Sequence, residues 1–155
     1  MSGRVGAGGD NAGMSDVFCQ VASGEMAVLE VYRDPLVVAF LDHRPVFKGH
    51  VLVIPVRHVD TIVDLPTGLV EPLFGTAQRV AEAMTTALGA DGSFVAVNNV
   101  VSQSVPHLHI HVVPRSKGDG LRGFFWPRTT YAKGEAEEYA FRLRTVLGGN
   151  TPVAG

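Results

Sequence analysis

Residues 103–115 read QSVPHLHIHVVPR, and the fold turns on the alternation inside that stretch. Successive side chains of an extended strand point to opposite faces. His107, His109 and His111 are therefore predicted to share one face, and Leu108, Ile110 and Val112 the other, packed against a helix. Pro106 and Pro114 bracket the segment, so residues 107–113 read as one strand. Three of the six histidines of the chain fall here, on a face where imidazoles make poor core material.

Working outward, the elements alternate in a way that defines a class. Upstream, AVLEVY (27–32), LVVAFL (36–41), GHVLVIPV (49–56) and SFVAVNN (93–99) read as strands, with a turn at Asp34-Pro35. Leu69, Leu73, Ala77, Val80, Met84 and Leu88 recur at three- and four-residue steps, the stripe of one long helix that stops at Gly89. Ser15 or Asp16 is suited to cap a short helix carrying Val17, Phe18 and Val21, ended by Gly24. A closing helix runs from Glu135 to Leu147, before Gly148-Gly149. This order, with short links, predicts an α+β fold on a mostly antiparallel sheet. Residues 1–14, glycine- and alanine-rich without periodicity, read as a flexible tail ahead of a single domain over 15–150.

Composition narrows the function. The chain has 155 residues and a net charge of −2, so no global basic field attracts nucleic acid and any anionic ligand needs local donors. No apolar run reaches the roughly 20 residues of a membrane span. The N-terminus lacks the apolar centre of a secretory signal. Cys19 is the sole cysteine, which rules out an intrachain disulfide and reads as a small packed residue. A cytoplasmic protein is the simplest reading.

Four readings of the histidine row stand side by side. The side chains are exposed or hydrogen-bonded without chemistry. Or two of them bind a metal with a third ligand from His50, His43 or Asp42, since His107 and His111 lie roughly 13 Å apart along a strand, too far to share one ion. Or they sense pH. Or one attacks phosphorus while its neighbours donate to phosphate oxygens and carry protons. The last also gives a task to Gln103, Ser104 and the Val105 backbone, a turn able to cradle phosphate without formal positive charge.

The motif QSVPHLHIHVVPR, together with AFLDHRPVFKGHVLVIPVRHV (39–59) and DVFCQV (16–21), resembles the histidine triad (HIT) family across residues 15–115. The resemblance implies a HIT-like fold: a central antiparallel sheet of about five strands with two main helices, in a homodimer whose sheet extends across subunits. It implies binding of a purine nucleotide and hydrolysis or transfer at the α-phosphate through a nucleotidyl-histidine. His109 then matches the nucleophile, and His107 and His111 the phosphate and proton handlers. His50 matches a buried supporting histidine and Asp42 a ribose ligand, a task suited to a carboxylate that accepts two hydrogen bonds. Asn98, Gln103 and Ser104 match phosphate-side contacts, and Val17, Phe18 and Phe40 the walls of the base pocket. No cofactor is required on this reading, beyond a divalent metal that accompanies substrate in some relatives.

The chain also departs from the pattern. Ser102 stands where the family usually has glycine, and the loop Asn99–Ser102 contains none, so left-handed backbone is costly there. A zinc-binding branch carries a second cysteine three residues after the first; here that position is Ala22, so structural zinc at Cys19 is not expected and no metal ligand is assigned. After the triad, PRSKGDGLRGFFWPRTTY sets Arg115, Lys117, Arg122 and Arg128 around Phe124–Trp126, suited to closing over an extended polyphosphate or covering an interface. The phrase DHRPVFKGHVLVIP and the ending HVVPR look closer to the fragile-histidine-triad branch, which cleaves dinucleoside polyphosphates. A phosphoramidase cleaving P–N bonds, a nucleotide sensor with little catalysis and a metal-dependent hydrolase are the alternatives.

Overall fold

The computed structural model describes residues 16–122 and 128–148. The chain divides into two compact units, Met1–Asp119 and Gly120–Gly155. In the first, the elements are α1 (Val17–Ser23), β1 (Glu30–Arg33), β2 (Val37–Leu41), β3 (Val51–Pro55), α2 (Thr67–Leu88), β4 (Gly92–Ala96) and β5 (Ile110–Arg115). The strands form one sheet in the order β1-β2-β3-β5-β4, every neighbouring pair antiparallel. The fold is α+β, as its alternating strands and single long apolar stripe predict.

Both faces of the sheet are covered, which is why β2 and β3 read as continuous apolar runs rather than alternating ones. On one face α2 packs Leu73, Ala77, Val80 and Met84 against Val37, Ala39, Val51, Val53, Leu108, Ile110 and Val112. On the other, Phe18, Val21 and Ala22 of α1 pack against Val38, Phe40, Leu52 and Ile54. Register carries this alternation across strands. Phe40 pairs with Leu52, Leu52 with His111, and His111 with Ala96, so this row lies on the α1 face. The histidines therefore belong to the side of the sheet opposite α2.

The ends of the elements follow local chemistry. The Asp16 carboxylate accepts from the Cys19 amide at 2.8 Å and caps α1. Gly49 enters β3 with φ of 98°, and a Cβ there would stand 2.7 Å from Cδ1 of Leu88, so the end of α2 approaches this turn closely. Several boundaries differ from the sequence expectation, and the strand expected over 27–32 runs Glu30–Arg33. The strand expected over 93–99 ends at Ala96, because Asn99 leaves the ladder and its Oδ1 accepts from the Ile62 amide at 2.8 Å. β5 begins at Ile110, so His107 and His109 precede the ladder, although they keep the alternation. A 3-10 turn at Ile62–Asp64, fastened by a reciprocal Thr61–Asp64 capping box, was not read from the sequence.

The second unit contains α3 (Glu135–Leu147), within the predicted bounds. Glu135, Glu137 and Glu138 occupy its first turn and Arg144 its last, the arrangement that the helix dipole favours. Phe124, Phe125 and Trp126 lie outside the described residues.

Candidate active site

The three triad rings stand on one side of the segment, as alternation requires. The His109 and His111 rings lie 4.9 Å apart, and the Phe18 ring meets His109 edge-on at 5.0 Å and His107 at 6.1 Å. This face is covered rather than open, however. His107 is fully buried, His109 and His50 are 3% exposed, and His111 is half-buried. Buried imidazoles need partners, and those partners fix their tautomers.

His109 Nδ1 lies 2.7 Å from the His107 carbonyl. A carbonyl only accepts, so Nδ1 carries the proton and Nε2 holds a lone pair. His50 Nδ1 accepts from the Val46 amide at 3.1 Å, so its proton sits on Nε2 and is donated to His111 Nδ1 at 3.0 Å. His111 then keeps its own proton on Nε2. The chain Val46–His50–His111 thus ends in a donor, on the ring beside that of His109. His107 Nε2 donates to the Pro55 carbonyl at 2.9 Å, anchoring the start of the triad to the end of β3.

Burial favours the neutral form of His50, His107 and His111. It lowers the pKa of His50 and of His107, although Asp42 pulls the first back up and the Pro55 carbonyl and Asp16 the second. His111 is pushed down to about 4, by burial first and then by its neighbours His109 and His50. At neutral pH the His111 edge is therefore a hydrogen-bond donor without formal charge.

Asp42 lies beside this chain. Its Oδ2 is 3.7 Å from His50 Nδ1, and its Oδ1 accepts from the Arg44 amide at 2.9 Å. Phe40 and Phe18 are buried with ring centroids 5.7 Å apart, while Val17 is 37% exposed at the outer side of α1. Asp42, His50, His109, His111, Phe18 and Phe40 thus form one continuous lining.

The phosphate-side residues are placed differently from expectation. The Gln103 amide is engaged at both ends: Oε1 accepts from the Val100 amide at 2.9 Å, and Nε2 donates to the Asp60 carbonyl at 2.6 Å. It pins the 99–103 loop to the 58–64 segment rather than presenting a free amide. Asn98 and Ser104 are exposed, and Val105 is partly buried against the α1-side core. Val100 and Ser102 take left-handed backbone, with φ of 66° and 61°. The loop adopts positive φ without glycine, and for a β-branched valine that is a strained conformation. Arg115 bonds Asp119 through both Nε and a terminal nitrogen, at 2.5 and 3.0 Å.

Four residues outside the predicted set complete the surroundings. Asp16, Cys19 and His58 gather at His107 Nδ1, and Asp60 holds His58. The sequence signal was the Asp16–Cys19 spacing of three at a helix start, which places both side chains on one side. The ligand-type atoms of Asp16, Cys19, His58 and His107 all lie within 4.8 Å of one another. The set Asp42, His50 and His111 also falls within that distance, but its imidazole nitrogens are engaged with one another and with Val46. A wide apolar cleft of about 610 Å³ between α2 and β1–β3, lined by Val31, Leu41, Val80, Met84 and Leu88, contains none of the histidines.

Comparison with known proteins agrees with this architecture. Residues 23–118 match the family described as HIT domain. The chain belongs to the histidine triad family. The uncharacterized HIT-like protein Rv1262c of Mycobacterium tuberculosis is 36% identical over 110 residues, covering 70% of this chain and 76% of that protein. Adenosine 5'-monophosphoramidase hnt1 of Schizosaccharomyces pombe is 31% identical, covering 74% and 84%. The asymmetrical bis(5'-nucleosyl)-tetraphosphatase of the same yeast is 37% identical, covering 57% of this chain and 50% of the enzyme. The crystal structure of a HIT family protein from Bacillus subtilis superposes with a TM-score of 0.79 at 28% identity, covering 88% of this chain and all of that one.

Proposed function

We propose that this chain is a nucleotide hydrolase or transferase that acts at the α-phosphate through a covalent nucleotidyl-His109. One observation supports it above the others: the His107 carbonyl holds the His109 Nδ1 proton at 2.7 Å, which leaves Nε2 a neutral nucleophile aimed along the triad face. In the first step the Nε2 lone pair forms the N–P bond, the bond from phosphorus to the leaving group breaks, and the leaving group takes up a proton. In the second, water forms a P–O bond and releases a proton to solvent, balancing the one the leaving group took up from solvent, the N–P bond breaks, and the nucleoside monophosphate departs. His111 donates from Nε2 to a phosphate oxygen, the oriented neutral donor that stabilises charge developing at phosphorus. Asp42 receives the ribose hydroxyls, and Phe18 and Phe40 wall the base, here a purine. His107 acts by positioning His109, because both of its ring nitrogens are engaged away from the pocket.

The favoured substrate class is a dinucleoside polyphosphate, on the likeness to the tetraphosphatase and the fragile-histidine-triad phrasing of residues 42–55. A nucleoside phosphoramidate is the second reading, supported by the match that spans 84% of the phosphoramidase. Both share the first step at His109 and differ in the leaving group.

The test is a panel of adenylated and guanylated substrates with P–O–P or P–N bonds, assayed together with alkaline quench of a single turnover. The expected result is a base-stable, acid-labile nucleotide adduct on His109. Tight nucleotide binding with no adduct and no turnover would make the protein a sensor instead.

A further inference from the structure

A helix with its side chains is about 10–12 Å across, whereas the outer axes of five strands spaced by about 4.8 Å lie roughly 19 Å apart. Among the described residues of the first unit, one helix, α2, covers the face of the sheet opposite α1. Beside it lies the cleft of about 610 Å³ between α2 and β1–β3, a volume in the range of small-molecule sites. Val51, Val80 and Met84 are buried at its floor, and Val31, Ala83 and Leu88 are exposed at its rim. The cleft is long: α2 lines it from Thr76 to Leu88, a rise of about 18 Å. Ala83 and Ala87, one turn apart on the same side of α2, keep it open because their side chains end at a methyl group.

Its charge is one-sided. The ionisable groups along it are Lys48, Arg79 and the Tyr32 phenol, with no carboxylate in the lining. Arg79 is committed: its guanidinium carbon stands 4.6 Å from the centre of the Tyr32 ring, and the Tyr32 hydroxyl donates to Asp34 at 2.7 Å. The Lys48 ammonium makes no hydrogen bond or ion pair among the described residues. It belongs to the far end of the cleft, because the next residue, Gly49, lies against Leu88. An uncommitted cation thus stands at one end of an extended hydrocarbon surface, an arrangement complementary to an amphiphile with one negative charge.

We propose that this cleft binds a single-chain acyl carboxylate of the free fatty acid class, its head on Lys48 at the Leu88 end and its chain laid along α2 toward Thr76. The carboxylate gains the charge partner that Lys48 lacks. The chain displaces water from Val31, Leu41 and Leu88, and the exposed apolar side chains at the rim close over it. None of the triad histidines lines the cleft, so this inference is independent of the nucleotide reading.

The test titrates the full chain by calorimetry with octanoate, decanoate and dodecanoate below their micelle concentrations, and with dodecanol as the uncharged control. One carboxylate per chain is expected, with affinity rising roughly tenfold for each two methylenes added and with a rise in Tm at saturation. Lys48→Met should weaken dodecanoate at least fivefold and erase its advantage over dodecanol. Ala83→Trp, at an exposed position of α2, should fill the cleft and abolish binding while the unfolding midpoint without ligand stays near that of wild type. The proposal fails if wild-type protein takes up no dodecanoate, if affinity is indifferent to chain length, or if either variant binds as wild type does. It fails equally if sedimentation shows that dodecanoate splits an assembly that Ala83→Trp also splits, which would make a second copy of the chain the occupant.

Discussion

The Nε2 of His50 lies 3.0 Å from the Nδ1 of His111, joining the turn before β3 to the last member of the triad through one hydrogen bond. Because the Val46 amide occupies the other nitrogen of His50, the direction of that bond is fixed from the backbone outward. His50→Ala should strand the His111 acceptor without its donor. A stability loss of about 1–3 kcal/mol is expected from the unpaired buried group, and turnover should fall by about 10²-fold as the His111 donor loses its orientation. Urea unfolding and steady-state kinetics on the same preparation check both.

His109→Ala should reduce turnover by at least about 10³-fold while nucleotide binding survives, since the group removed is the proposed nucleophile and its neighbours stay in place. Calorimetric titration with a nucleoside monophosphate, beside the rate assay, tests this. Wild-type rates in the variant would end the nucleotidyl-histidine scheme.

Acid should destabilise the fold through His111. The unfolded imidazole titrates near 6.5, while the folded one resists protonation until about 4. Between those values the unfolded state binds more protons, so stability rises with pH across the window and is lost as pH falls through it. The contribution is present in full above the unfolded value and has an upper bound of about 3 kcal/mol. Unfolding midpoints from pH 7.5 to 4 should show a shallower slope for His111→Asn than for wild type.

Val100→Gly should stabilise the protein by about 1 kcal/mol, because a β-branched residue at φ of 66° is relieved of a strain larger than the chain entropy that glycine adds. Ser102→Gly should act in the same direction and by less. Chemical denaturation midpoints measure both.

Gly49→Ala should cost more than either loop change gains. The residue has φ of 98°, and a methyl group there would press on Leu88 Cδ1 at 2.7 Å. A loss of about 1–3 kcal/mol is expected, with Leu88→Ala in the same chain recovering part of it, read from thermal unfolding.

What the sequence showed and what it hid divide along a physical line. The α2 stripe, the four upstream strands and the alternation of His107, His109 and His111 were legible because each is a periodic pattern that local geometry enforces. Asp42, His50, Phe18 and Phe40 were legible through the motif, and the structure gathers them onto one lining. The contacts of Gln103 were not legible: its amide serves the Val100 and Asp60 backbone, a partnership between segments 43 residues apart that no local pattern encodes. The cluster at Cys19 was missed for the same reason. Ala22 stands one turn of α1 onward, whereas the companions of the sulfur come from the helix cap at Asp16 and from His58 beyond β3. Ser102 and Val100 show the reverse case, where a missing glycine marked the stretch in which non-glycine residues take left-handed backbone.

The segment from Pro106 to Pro114 is closed in on both sides, aromatic and polar companions on one and the α2 packing on the other. Shifting it by a single residue would drive three imidazole rings into hydrocarbon and turn Leu108, Ile110 and Val112 toward the opposite face of the sheet. Such an error is penalised twice over, so this stretch is the part of the chain least able to accept an inserted or deleted residue, and its length should stay constant while the neighbouring loops drift in size.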